Sequence, residues 1–188
     1  MDSRDSALLD VFTPWYDFAL TEHLFVPASP AATYGSVAAL RSAGWRAPPL
    51  ATLSWVRGEP VRLRPDAAVP AFEEILLGGP WRVLGERPGQ ELVLGAAGRF
   101  WTRIPHWHRV SRAEFVTYAR PRSGTIAVAL SVRPAPAHGS LLTFETRWTV
   151  VDPVARHWAE WCWATIKPSA RVIARQVLHA VHSAAART

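Results

Sequence analysis

The last stretch of the chain, residues 152–187, constrains the fold more than any other. It opens with Asp152-Pro153. Asp is a strong N-cap, because its carboxylate accepts from the free N–H groups of the first turn, and Pro fits the first helical position, where a missing N–H costs nothing. Val154, Trp158, Trp161, Cys162, Thr165 and Ile166 follow at spacings of three and four, which predicts one helix face. Pro168 is expected to kink or break the helix, since it cannot donate to the preceding turn. Ile173, Val177, Ala180 and Val181 then continue the apolar stripe. A helix of about 35 residues far exceeds the usual length of about 11–12. Its wide, Trp-rich face cannot be buried alone, so a broad concave partner must receive it.

The preceding residues supply that partner. Asp17 to Val26 alternates, with Phe18, Leu20, Glu22, Leu24 and Val26 on one face, which is the period of a half-buried strand. Ser29-Pro30 caps and opens a helix through Ala31, Tyr34, Val37, Ala38 and Leu40. Residues 44–70 are less regular, with a short apolar stretch Leu50 to Val56 and a turn at Arg57-Gly58-Glu59-Pro60. A short helix is expected over Val69 to Leu77, so that residues 43–80 read as a lid or as plain connection.

From Trp81 onward the pattern is β. Trp81 to Glu86 and Glu91 to Trp101 form a hairpin around Arg87-Pro88-Gly89-Gln90. Gly95-Ala96-Ala97-Gly98 marks a bulge or a close approach by another backbone or a ligand. His106-Trp107-His108 follows Pro105 and reads as a loop. Ser111-Arg112-Ala113-Glu114 fits a capping box and predicts a short helix or turn near Phe115. Thr125 to Val132 and Leu141 to Val151 alternate as strong antiparallel strands with one apolar face.

The whole chain of 188 residues is read as one domain: a first strand at 17–26, a helical segment at 29–80 that includes the lid or connection, antiparallel strands at 81–151 and the C-terminal helix at 152–187. With 49% hydrophobic and 19% charged residues, there is apolar material for a real core. The single Cys162 excludes an internal disulfide and a cysteine metal cluster. No signal-peptide pattern and no run of 18 apolar residues occurs, so a cytoplasmic protein without stable membrane insertion is expected. The net charge of +6 is spread along the chain in arginines, with no basic block interleaved with aromatics, which argues against nucleic acid.

The order strand, helices, strands, long helix resembles the START/Bet v 1-like superfamily, also called SRPBCC or polyketide cyclase-like. The matching residues are Val26 through Tyr34, Glu91-Leu92-Val93-Leu94-Gly95 through Gly98-Arg99-Phe100-Trp101, and Thr143-Phe144-Glu145-Thr146-Arg147 leading into Asp152-Pro153. Ile166-Lys167-Pro168-Ser169 is similar to a bacterial subgroup without assigned activity. The resemblance implies an α+β helix-grip fold, a curved antiparallel sheet wrapped around a long C-terminal helix kinked near Pro168, with an internal cavity. It covers most of the chain and fixes no shared catalytic motif.

Several residues then become candidates. Glu22 stands on an otherwise apolar strand face, where burial would raise its pKa and suit it to acid–base work; pairing with an Arg is the structural alternative. Arg99 could hold a carboxylate or an enolate oxygen, or serve as partner to Glu91 or Glu145. His106 and His108 could work as acid–base groups, but no third ligand has metal spacing. Tyr34, Phe100, Trp101, Phe144, Trp148, Trp158 and Trp161 are the expected ligand-contacting residues, and an aromatic wall suits a flat apolar ligand. Glu145 and Arg147 face away as a surface pair, and Lys167, Arg171 and Arg175 form a solvated basic row.

The expected function is binding of an apolar small molecule, lipid- or polyketide-like, by a monomer or homodimer without cofactor or metal. A cofactor-free cyclase or dehydratase is the alternative, and an interaction module with a filled core the third.

Overall fold

The computed structural model describes residues 7–42, 79–102, 104–136 and 138–187. The stretch Leu50 to Val56, the helix expected over Val69 to Leu77 and the segment 43–80, read as a lid or as plain connection, therefore lie outside the described residues, except at their edges. Ten elements follow one another: α1 (Leu8–Phe12), β1 (Phe18–Val26), α2 (Pro30–Ser42), β2 (Arg82–Arg87), β3 (Glu91–Arg99), β4 (His106–His108), α3 (Arg112–Val116), β5 (Gly124–Pro134), β6 (Ser140–Val150) and α4 (Pro153–Ala185). The strands form one sheet in the order β1-β6-β5-β3-β2, with β4 also paired to β3. Every pairing is antiparallel.

One face of the sheet receives α4 and α2. Leu20, Leu94, Ile126, Val128, Leu130, Leu142, Phe144 and Trp148 bury there against Ala159, Cys162, Trp163, Ile166, Ile173 and Val177 of the helix. α4 is one continuous helix through Pro168, so the break expected there does not occur. Ser169 Oγ donates to the Ile166 carbonyl at 2.8 Å near the proline. Asp152 caps α4 as expected, its Oδ1 accepting from Val154 N at 2.9 Å and Ala155 N at 3.2 Å.

The buried seam of α4 differs from the expected one. It runs Ala155, Ala159, Cys162, Trp163, Ile166, Ala170, Ala174 and Val177. Trp158 and Trp161 were expected in the helix–sheet interface, yet they are 60% and 53% exposed, as is Val154 at 69%. The seam is built on alanines, which let the helix approach the sheet closely and leave the indoles one residue out of phase, on the flank.

The opposite sheet face is also covered, which the one-sided alternation did not anticipate. Leu9 and Phe12 of α1 and Phe115 of α3 pack over Leu84, Val93, Ala97, Ala127 and Ala129. The outward positions of β3 and β5 are small, and that leaves room for two short helices. A Cβ on Gly95 would meet Leu84 Cδ1 at 2.5 Å and Phe115 Cε2 at 2.7 Å. At Gly98, with φ at +156°, a Cβ would meet the His106 carbonyl oxygen at 2.3 Å, so this glycine admits the β4 backbone. His106 to His108 is accordingly a short strand rather than a loop.

Two polar devices hold α1 down. Glu91 is buried and its carboxylate accepts from Leu8 N at 2.7 Å and Leu9 N at 3.2 Å, satisfying donors that a helix start leaves open. Arg147 was expected on the surface beside Glu145, but only 8% of it is exposed. Its Nη1 donates to Asp10 Oδ1 at 2.7 Å and the Thr13 carbonyl at 3.0 Å, and its Nε to Glu145 Oε1 at 2.6 Å. The guanidinium also lies 4.5 Å from the Tyr16 ring centroid. The reading failed because alternation shows which face a residue takes, not whether another segment covers that face.

Candidate functional site

The start of α4 and the far end of β3 meet at a pocket of about 370 Å³. Arg99, Trp101 and Thr102 form one wall, Val154, Ala155, Trp158 and Trp161 of α4 the other, and Arg122 borders both. Asp152 joins the helix start to the Arg122 segment. While Oδ1 caps α4, Oδ2 accepts from Arg122 N at 3.1 Å, tying the β5 approach to the helix start. The backbone bonds from Ala155 and Arg122 hold the Asp152 carboxyl below its ordinary value, so the link is ionised near neutrality.

The volume falls within the roughly 300–1,000 Å³ of small-molecule sites. Three indoles and a valine give it an apolar, aromatic lining, and two arginines supply positive charge. Arg99 is partly buried, and its Nε is buried without a hydrogen-bond partner. Neither proposed partner pairs with it: Glu91 accepts from α1 and Glu145 from Arg147.

Behind the pocket the interior is filled with aromatic side chains. Phe100 stacks on Trp107 at 5.7 Å between centroids and meets Trp101 and Trp148 edge-on at 5.1 and 4.8 Å. Trp148 in turn packs edge-on against Trp163 at 4.9 Å. Of the expected ligand contacts, Phe100, Phe144 and Trp148 are therefore core residues with no exposed surface. Tyr34 is buried too, its hydroxyl donating to Glu86 Oε1 at 2.7 Å. Trp101, Trp158 and Trp161 reach the pocket. Trp148 Nε1 and Thr146 Oγ1, two residues apart on β6, are further buried polar atoms without a partner.

Glu22 does face α4, as strand parity predicts, but not the pocket. Its partners are neither Arg99 nor a His: Arg171 Nε donates to Oε1 at 2.6 Å and Arg175 Nε to Oε2 at 2.8 Å. The basic row on α4 is thus engaged at these two positions. Burial acts to raise the Glu22 carboxyl, yet the hydrogen bonds and charges of Arg175 and Arg171 outweigh it and hold the group below its ordinary value. It lies about 15 Å along the helix from Trp161, at 1.5 Å per residue.

His106 is exposed. His108 pairs with Ala97, so it lies on the outer face, away from α4. There its Nδ1 hydrogen-bonds the Tyr118 hydroxyl, which bonds Ser123 Oγ at 2.8 Å, and Ser123 donates to the Arg120 carbonyl at 2.8 Å. Burial, with the charges of Arg120 and His106, lowers the His108 pKa and keeps the imidazole neutral at pH 7. This relay is separate from the pocket. Cys162 is buried in the α4 seam and burial pushes its thiol up to about 12, so it behaves as a small apolar residue. Among the described residues, no cluster of His, Cys, Asp or Glu could hold a metal ion. No described helix is long and apolar enough to cross a membrane.

Six antiparallel strands gripping a C-terminal helix define a Bet v 1-like helix-grip fold. No family model matches the chain, and neither does any curated protein. Solved structures similar to it include protein MLL2253 from Mesorhizobium loti, at 11% identity and a TM-score of 0.38, covering 91% of this chain and 98% of that one. The Mll3558 protein from Rhizobium loti is 15% identical with a TM-score of 0.37, over 89% and 96% of the two chains. Ara h 8.0201 is 10% identical with a TM-score of 0.35, over 91% and 99%. Likeness this distant says nothing about what the pocket holds.

Proposed function

We propose that the chain binds an apolar small molecule in the pocket between the end of β3 and the first turns of α4. The observation that carries this reading is the placement of Trp158 and Trp161. Both indoles are more than half exposed on a helix whose opposite side is fully packed, and both line the pocket together with Trp101. Large apolar surface left open beside a cavity marks a binding site more often than a fold requirement. An aromatic ligand would stack there, and a lipid- or polyketide-like chain would bury against the same surface.

The cyclase or dehydratase alternative loses its leading acid–base residue, because Glu22 is held ionised by two arginines at a distance from the pocket. An interaction module would leave the pocket empty. The neutral naphthyl dye N-phenyl-1-naphthylamine separates these readings. Its fluorescence should rise saturably at one dye per chain. The Trp158→Ala/Trp161→Ala double variant should bind about tenfold more weakly, two aromatic contacts being worth about 1–3 kcal/mol together. Because both side chains are exposed, the variant should melt with the parent chain. Non-saturable dye binding, or an unchanged affinity in the double variant, contradicts the reading.

A further inference from the structure

We infer that the ligand of this pocket is an amphiphile with an anionic head, a carboxylate or phosphate, and that Arg99 is the residue that receives it. The inference rests on the pocket being the binding site. Arg99 enters from the last position of β3, where Gly98 lets β4 lie close against the strand. Its Nε is buried and unpaired, and no carboxylate among the described residues pairs with it.

The surrounding carboxylates are committed elsewhere. Asp152, at the same helix start, spends Oδ1 on Val154 and Ala155 and Oδ2 on Arg122. Asp17 accepts from Val150 N at 2.7 Å and pairs with Arg156 at 3.0 Å. Arg147, Arg156, Arg171 and Arg175 each have a carboxylate partner within the fold. Arg99 differs from them in having a buried Nε with no acceptor, and it lines the pocket. A guanidinium with a buried N–H that meets no acceptor carries a desolvation cost, which an incoming anion removes. Its planar fork suits a two-oxygen head group. Arg122 adds a second positive charge at the rim, while Trp158 and Trp161 offer the apolar tail a surface. Positive charge and aromatic surface line one pocket, which is the combination an amphiphile requires.

Competition against bound N-phenyl-1-naphthylamine tests this with three probes of equal chain length: laurate, dodecyl phosphate and 1-dodecanol. At least one anion should displace the dye at about a tenth of the dodecanol concentration or less, the scale of one charge-assisted hydrogen bond. Which anion does so identifies the head group. Arg99→Gln should erase the anion's advantage and leave dodecanol unchanged. Arg99→Lys should restore part of it, and Arg133→Gln, on the exposed end of β5, should change nothing. Equal displacement by all three probes, or an advantage that survives in Arg99→Gln, overturns the inference while leaving apolar binding intact. Failure of the dye itself to bind overturns the binding reading and this one with it.

Discussion

Glu22 shows how one carboxylate can be both out of place in an apolar strand and needed there. Its strand-mates Leu20 and Val26 are buried, and it pairs across the sheet with Phe144, which has no exposed surface. Arg171 and Arg175 reach it from successive turns of α4, so the acid fixes the rotation and height of the helix on β1. Both arginines are more than half exposed, so solvent screens the pairs. Glu22→Gln should therefore destabilise the fold by only about 0.5–1 kcal/mol at neutral pH. The sign with pH follows from the lowered carboxyl. The stabilisation is complete above the ordinary glutamate value of 4.5 and is lost as pH falls through the lower folded value. Urea midpoints of parent and variant should thus differ near neutrality and converge as pH falls below the lowered folded value. A gap that persists in acid contradicts the ion-pair account. The same substitution should leave dye affinity untouched.

At the scale of elements, α4 carries the clearest lesson about phase. Two apolar stripes compete on this helix, one written in large residues at Val154, Trp158 and Trp161, the other in Ala155, Ala159, Cys162, Ala170 and Ala174. The sheet takes the smaller one, because close approach of helix to sheet gains contact along the whole length. Trp163 and Ile166 fill the wider places. Trp163→Ala should cost about 3–5 kcal/mol, as loss of a buried aromatic does. Trp161→Ala should stay within about 0.5 kcal/mol, as surface changes do. Chemical denaturation of the two variants measures this directly, and equal losses would show the seam to be misplaced.

That pair of residues also marks what the sequence could convey. Element order, the Asp152 cap, the Ser111 capping box and the parity of Glu22 were legible because each depends on neighbours a few residues away. The rotation of α4 was not, because it depends on the depth of the sheet it meets. The burial of Arg147 was not, because its cover comes from residues more than 130 positions earlier. Their place on the apolar helix stripe and their aromatic character mark Trp158 and Trp161 as candidate contacts, aromatic character marks Trp101, and a strand of small residues marks Arg99. The tie that Asp152 makes between α4 and Arg122 is not legible, since nothing near it in sequence indicates that bond.

The molecule as a whole is a sheet covered on both faces, with the gripped helix on one side and two short helices on the other. α4 closes the inner face, while Glu91 and Arg147 bind α1 to the outer one. This double cover makes β3 buried at nearly every position. Among the described residues, aromatic surface, charge and open volume coincide at the sheet end beside the start of α4. The indole N–H groups of the ten tryptophans report on this division independently. In a ¹⁵N–¹H spectrum with each indole assigned, titration with N-phenyl-1-naphthylamine should shift the signals of Trp101, Trp158 and Trp161. Those of Trp148 and Trp163, packed in the filled interior, should stay in place. Shifts confined to Trp148 and Trp163, or absent from all five, would contradict a binding site at the head of α4.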